Sequence, residues 1–124
     1  MAREFLLKQL YASSTGSAAV TGAAVDLSAA SAYIDRREII FGVQPHATAG
    51  SPAFPVTFEE SSGSAAGGTW TSISLNAAIA VSDDSLIERF GKVTKQYVRA
   101  KIGDYTSAGS VAISAFCVPV YRES

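Results

Sequence analysis

The sequence predicts an all-β protein, a single β-sandwich or jelly-roll-like domain preceded by an extended N-terminal arm. Residues 56–59 alternate apolar and polar side chains, as a half-buried strand does. A run of Ser, Gly and Ala follows at 61–68, and residues 69–73 return to β-favouring types, so this stretch predicts a hairpin with a long tip. Residues 96–102 alternate in the same way, and 124 residues suffice for one domain.

The N-terminal region, residues 1–21, is predicted as the arm and a flexible linker, and residues 22–124 as the sandwich. Large apolar side chains cluster at 5–11, in a pattern that fits either a strand or a short helix, before a segment of small residues. Burying them and ordering the backbone nearly cancel, so we expect the arm to be stable only when docked on its own domain or on a neighbour. The candidate partner-binding residues of the arm are Phe5, Leu6, Leu7 and Leu10.

The remaining elements follow in order along the chain. Strands are predicted at 24–27, 38–44, 56–59, 69–73, 77–81, 96–102 and 111–121. Pro and Gly mark residues 45–52 as a loop, and 103–110 is predicted as a polar turn. Ser85 and Glu88 have the spacing of a capping box, which predicts a short helical turn. In the 96–102 strand, we expect alternate residues to face the core, with Tyr97, Arg99 and Lys101 facing outward.

Residues suited to chemistry are few and isolated, which predicts a protein that is not an enzyme. His46 is the single histidine and has no nucleophile motif near it, and Cys117 lies in an apolar strand where a buried thiol is expected. Glu59 and Glu60 would point to opposite faces of one strand, so the pair is a poor ligand set. The acids at 83–84 are interpreted as capping or solvated residues. No metal site, cofactor or catalytic residue is predicted.

The cations are concentrated in one segment. Five of the ten lie within 89–101, with no acid among them, although the net charge is −1. They are Arg89, Lys92, Lys95, Arg99 and Lys101. Three interpretations stay open: a solvated strand face, contact with an acidic protein partner, or, least favoured, nucleic acid, because few aromatic residues accompany them. Arg99 and Lys101 are the secondary candidates for partner binding.

Six segments follow one another along the chain: 24–27, 39–43, 56–61 with Trp70 after a Gly-rich tip, 89–92, 96–100 and the final apolar strand. Taken in this order, they resemble small β-sandwich structural proteins encoded near the major capsid gene of tailed bacteriophages. The likeness spans roughly residues 22–121. This chain differs from that pattern in its longer tip and in Gln96, where Arg is common.

The resemblance implies a capsid decoration (cement) protein that binds the outside of the head shell. Such a protein is non-enzymatic, often a homotrimer, and clamps neighbouring major capsid subunits. The resemblance also implies a location in the virion. The start of the sequence has no signal peptide, and no run reaches the ~20 apolar residues of a membrane span, so we expect synthesis in the host cytoplasm. The alternative is a carbohydrate- or receptor-binding module of a phage tail, with Trp70 as its aromatic residue, although a core role for Trp70 is favoured.

Overall fold

The computed structural model describes residues 7–27 and 39–119, and the part it describes is built from β-strands without helix. This confirms the all-β prediction. The strands are β1 (Lys8–Gly16), β2 (Val20–Thr21), β3 (Val25–Asp26), β4 (Ile39–Ser61), β5 (Thr71–Ser72), β6 (Ile79–Val81), β7 (Ile87–Gly91), β8 (Tyr97–Ile102) and β9 (Ser107–Pro119).

The long strand β4 belongs to two sheets, which pack as a β-sandwich-like domain. Its first part lies between β9 and β7, and β9 pairs on its other side with β1; we call this four-stranded layer sheet A. Its second part pairs with β8 on one side and with β5 and β6 on the other, and β8 also pairs with β2 and β3; we call this layer sheet B. Every pairing is antiparallel. A jelly-roll connectivity stays a prediction.

Two glycines lie opposite each other where β4 and β9 turn from one layer towards the other. Gly50 has a φ of +67° and pairs with Gly109, whose φ is +154°. The register of the pair shifts on either side of this point, between Ala47 and Ala49 and between Gly50 and Ala53. β-Bulges of this kind bend a strand without ending it, and left-handed φ values favour glycine. The corner is therefore made within two continuous strands.

The prediction of a loop at 45–52 is wrong, because these residues belong to β4 and most of them pair with β9. Pro45 is tolerated there because β7 pairs only with residues 39–43 of β4. From Pro45 onward, β4 has a strand partner in sheet A on one side only. The other side lacks a partner strand, so the N–H that proline lacks costs little there. Pro and Gly here mark a bend in a strand, not its end.

The core lies between the two sheets and follows the two-residue period of their strands. Phe41 on sheet A and Phe58 on sheet B meet across it, with ring centroids 4.8 Å apart and planes inclined by 42°. Val98, Ala100 and Ile102 of β8 are buried, as predicted. The other fully buried large side chains are Leu27, Ile39, Val43, Val56, Ile79, Val93 and Val111. Both halves of β4 therefore supply the centre of one core.

Most predicted strands are confirmed with small shifts of their ends. The 54–73 hairpin forms, with Glu59 and Glu60 opposite Ser72 and Thr71, and β9 begins at Ser107 inside the predicted 103–110 turn. The prediction of a helical turn at 85–88 is wrong, because residues 87–91 form β7, which pairs with β4. Asp83 Oδ1 instead accepts a hydrogen bond from the Ser85 amide, which makes a turn into that strand.

The N-terminal segment contributes β1 and β2 to the two sheets. β1 lies along β9, with a register shift between Gln9 and Tyr11 at which Leu10 turns into the core and is 4% exposed. Leu7 precedes the strand and is 50% exposed. Phe5 and Leu6 lie outside the described residues. The division of the chain at residue 21 stays a prediction. Within the described residues, β1 pairs with β9 of the same domain.

We expect Phe41→Ala to lower the free energy of unfolding by about 3–5 kcal/mol, since it removes a buried ring from the centre of the core. Urea denaturation monitored by far-UV circular dichroism measures this loss. Phe90→Ala is the matched control, because Phe90 lies 46% exposed on the same sheet and should cost far less. Equal losses for the two variants would contradict the described core.

We expect Gly109→Ala to destabilise the protein by about 1–3 kcal/mol, the scale of a strained backbone conformation. A Cβ at Gly109 would lie 2.5 Å from the Ala49 carbonyl oxygen, whereas one at Gly63 would meet nothing within 4 Å. Gly63→Ala should therefore leave the unfolding midpoint nearly unchanged. A similar midpoint for the two variants in thermal denaturation would show that no corner is made at Gly109.

Candidate interaction surfaces

An apolar row crosses the outer face of sheet A. Ile40 of β4 lies opposite Val118 of β9 on one side and Phe90 of β7 on the other. Continuing the register of β1 places Leu7 beside Val118. Leu7 and Phe90, at the two ends of the row, are 50% and 46% exposed. Two large apolar side chains thus remain in solvent on one face, joined by two partly buried ones.

Phe116 extends this row towards the middle of the sheet. It lies opposite Gly42, and its ring occupies the space that a Cβ of Gly42 would need. An aromatic ring over a cross-strand glycine covers the exposed backbone and fixes the register of the pair. Gly42 is consequently buried although it faces outward. The sequence shows both residues, but not that they are partners.

Charge is sparse on this face. Beside the apolar row, the strand positions that the sheet register places on it carry amide, hydroxyl, imidazole or small side chains, with Glu88 as the one full charge among the described strand positions; they are Gln9, Ala12, Gln44, His46, Glu88, Ala112 and Ser114. A second carboxylate, Asp84, borders the face, with its Oδ2 3.4 Å from His46 Nδ1. Interface centres in protein complexes are depleted of charge in the same way. We call this surface the apolar face of sheet A.

A cluster centred on Arg99 occupies the outer face of sheet B. Arg99 Nε donates to Glu59 Oε1 at 2.9 Å, across the β4–β8 register. Its Nη1 donates to the Ala66 carbonyl at 3.1 Å, and its guanidinium carbon lies 4.1 Å from the centre of the Trp70 ring. The Arg99 and Glu59 side chains are only 12% and 13% exposed. Arg99 faces outward as predicted, but the hairpin tip covers it.

The tip itself, residues 62–70, is held mainly by these contacts. Trp70 Nε1 donates to the Ala65 carbonyl at 3.0 Å, and the Gly68 amide donates to the same oxygen. A neutral hydrogen bond contributes about 0.5–1.5 kcal/mol, one from a charged donor such as Arg99 about 1.5–3 kcal/mol, and a cation–π contact about 0.5–2 kcal/mol, so the ring contact and two side-chain bonds amount to roughly 2.5–6.5 kcal/mol. The entropy lost in ordering the tip offsets much of this sum. The tip is ordered, but only weakly.

Trp70 is not a core residue, and the favoured prediction for it is wrong. It is partly exposed and lies outside the buried cluster, because the small residues of the tip give the chain freedom to fold back over sheet B. One face of its ring carries Arg99, and its N–H is already donated. Both facts reduce its use as a platform for stacking a sugar.

The basic segment does not form one surface. Arg99 is engaged in the cluster above, and Arg89 donates from Nη1 to the carbonyl of its neighbour Glu88 at 2.9 Å. Lys101 is exposed on sheet B, two positions along β8 from Arg99. Lys92 and Lys95 lie in the connection from β7 to β8. The five cations are thus distributed over a sheet edge, a loop and a sheet face.

Glu60 has a structural role that the sequence pattern does not reveal. It points away from Glu59, as predicted, and is 7% exposed. Its Oε1 accepts hydrogen bonds from the Thr94 amide at 2.7 Å, the Thr94 hydroxyl at 3.0 Å and the Lys95 amide at 3.0 Å. Three donors on one oxygen satisfy a buried carboxylate and fasten the β7–β8 connection.

The two acids at 83–84 border a cavity of about 330 Å³ near the corner of β4. Its apolar floor includes Val81 and Val111. Asp84 Oδ1 accepts from the Ala47 amide at 2.8 Å, and its Oδ2 lies 3.4 Å from His46 Nδ1, with both side chains more than half exposed. Hydrogen bonds from Ser85 lower the pKa of Asp83. Across the described ranges, no three His, Cys, Asp or Glu residues come together as metal ligands.

Comparisons with known proteins find no matching family model, no matching curated protein and no matching solved structure. Within residues 7–27 and 39–119, no helix long and apolar enough to cross a membrane is present. The surfaces above are therefore interpreted from their own chemistry.

Cys117 is buried, as predicted, and its environment gives a pH-dependent test. Burial raises the pKa of the thiol from 9.0 to about 12, with a smaller opposing effect of Lys8. The unfolded chain loses this proton at lower pH than the folded chain, so stability should fall as pH rises from about 9 to 12. The slope approaches 1.4 kcal/mol per pH unit between the two pKa values.

We expect the thiol to resist iodoacetamide at pH 8 in the native protein and to react rapidly in urea, because the thiolate is the nucleophile. Mass spectrometry of the alkylated chain measures the rates. Cys117→Ala, melted at pH 8 and pH 10, is the control that isolates the contribution of the thiol to the loss of stability. Native alkylation as fast as that of a free thiol would contradict the burial of Cys117.

Proposed function

We propose that this protein is a capsid decoration protein of a tailed bacteriophage, which binds the outside of the head shell and stabilises contacts between major capsid subunits. The observation that carries the proposal is the apolar face of sheet A. It combines two half-exposed large apolar residues, Leu7 and Phe90, with a sparsely charged surround. The order of segments that resembles small capsid-associated β-sandwich proteins supports the same conclusion.

The chemistry of this face suits a binding role. A β-sheet face presents side chains from four neighbouring strands on a fixed backbone, so little conformational entropy is lost when a partner covers it. The apolar row supplies area without a need for paired charges, as the centre of a stable interface does. Contact with a shell protein would bury Leu7 and Phe90, two of the four large apolar side chains that are exposed in the described part of the chain; the other two are Val20 and Leu86.

The contact residues that we propose differ in part from those predicted from the sequence. Leu7 remains available, whereas Leu10 is buried and Arg99 is covered by the hairpin tip. Lys101 is exposed but lies on sheet B, on the other side of the domain. The proposed contact set on sheet A is therefore Leu7, Ile40, Phe90, Phe116 and Val118.

A homotrimer would strengthen such a contact. A few apolar side chains give a modest affinity, but three copies that engage neighbouring shell subunits together gain avidity without new contacts. We therefore propose a trimer on the virion exterior. The alternative of a carbohydrate- or receptor-binding module has less support, because Arg99 and the Ala65 carbonyl occupy Trp70.

The double variant Leu7→Ser/Phe90→Ser should lose binding to purified shells by at least tenfold, since it replaces both exposed apolar groups of the face with polar ones. The assay is co-sedimentation with undecorated particles from the source, quantified by mass spectrometry. These substitutions leave the buried core intact, so the melting temperature should change little.

Val20→Ser is the matched surface control, because Val20 is an exposed apolar residue of sheet B, and it should bind as the unmodified protein does. Full binding by the double variant would exclude the apolar face as the contact surface. Failure of the unmodified protein to bind undecorated shells would reject the decoration function itself.

A further inference from the structure

The hairpin tip covers the one cationic group on sheet B that could bind a carboxylate in a forked geometry. Arg99 uses Nε for Glu59 and Nη1 for the Ala66 carbonyl, and Trp70 lies against one face of its guanidinium. Residues 62–69 are all exposed and consist of Ser, Gly, Ala and Thr. The tip therefore buries little of itself and mainly shields Arg99.

We propose that residues 62–70 form a strap that closes over Arg99, and that its opening exposes Arg99 beside the already exposed Lys101, so that the two form a binding site for a carboxylate-rich segment of a partner protein. This site lies on sheet B and does not depend on the proposed function of the apolar face. Arg99 binds the carboxylate, and Trp70 acts as the gate that decides whether Arg99 is accessible.

The contacts that hold the strap are few enough for it to open. One cation–π contact and the bond from Arg99 to the Ala66 carbonyl connect the tip to sheet B, and two bonds to the Ala65 carbonyl, from Trp70 Nε1 and the Gly68 amide, lie within the tip. Because ordering the tip's backbone opposes these contacts, the net free-energy difference is small, and the minor, open state is populated at about 0.1–10%. The apparent affinity for a ligand that needs the open state is reduced by the same fraction.

Charge determines the kind of partner. Opening the strap releases Nη1 while Glu59 still holds Nε, so the Nη1 and Nη2 edge of the guanidinium becomes free for a bidentate carboxylate. Lys101 is exposed two positions along the same face of β8 and can approach a second carboxylate of the same segment. An Arg and a Lys side by side therefore favour adjacent acidic residues over a single one.

Hexaglutamate peptide is the probe, titrated by calorimetry into the full chain at low ionic strength. Trp70→Ala removes the ring contact and one carbonyl bond without changing charge. It should bind hexaglutamate at least about 5-fold more tightly than the unmodified protein, with the inverse of the open fraction, about 10–1,000-fold, as the upper limit, because the bond from Arg99 to Ala66 remains. Adding Arg99→Gln to this variant should abolish the gain. Hexaglutamine is the uncharged control peptide.

Trp70 fluorescence in the unmodified protein gives a second readout. Saturating hexaglutamate should shift its emission to the red and increase quenching by acrylamide, because the ring leaves Arg99 when the strap opens. Equal affinity of Trp70→Ala and the unmodified protein, or a gain that survives Arg99→Gln, would overturn the proposal. Unchanged fluorescence at saturation would do the same, and this readout does not depend on whether a variant folds.

Discussion

The continuity of β4 through a corner is the constraint on which this fold depends. One strand of 23 residues supplies neighbours to both sheets, so the layers cannot shift independently. The corner requires Gly50 and Gly109 to face each other in left-handed conformations. It also brings Phe41 and Phe58, from the two halves of the same strand, into ring contact at the centre of the core. Backbone conformation at two glycines thus determines core packing.

The same strand also determines what each outer face presents. Residues of β4 that alternate with the core positions point outward, so Ile40 contributes to the apolar face of sheet A and Glu59 to the charged cluster of sheet B. Residues of the neighbouring strands add to this difference between the two faces. Phe116 covers Gly42 on sheet A, and Arg99 pairs with Glu59 on sheet B. One apolar face and one polar face follow from a single register, because a shift by one residue would exchange inner and outer positions.

Local patterns predicted the strands well and the corner badly. The two-residue period of 96–102 placed Val98, Ala100 and Ile102 in the core correctly. Pro45, Pro52 and Gly50 suggested a loop because nothing local reveals that β9, some sixty residues later, pairs with this segment. On the surface, the two-residue period of the strand correctly predicted that Arg99 points outward. It did not reveal that the hairpin tip covers this side chain. The burial of Leu10 beside the exposed Leu7 likewise depends on a register shift that only the paired strands define.

The two outer faces differ in how ready they are to bind, and this difference sets an order of events. The apolar face of sheet A is presented without rearrangement, and its attraction depends on apolar area, which physiological salt screens little. Arg99 is accessible only when the tip opens, and its attraction to carboxylates weakens as the Debye length falls from about 10 Å at 0.1 M salt to about 3 Å at 1 M. Stable attachment through sheet A would therefore come first. If this attachment also brought an acidic segment of the partner close to sheet B, the local concentration of that segment would rise. Binding of the segment would then shift the strap towards its open state.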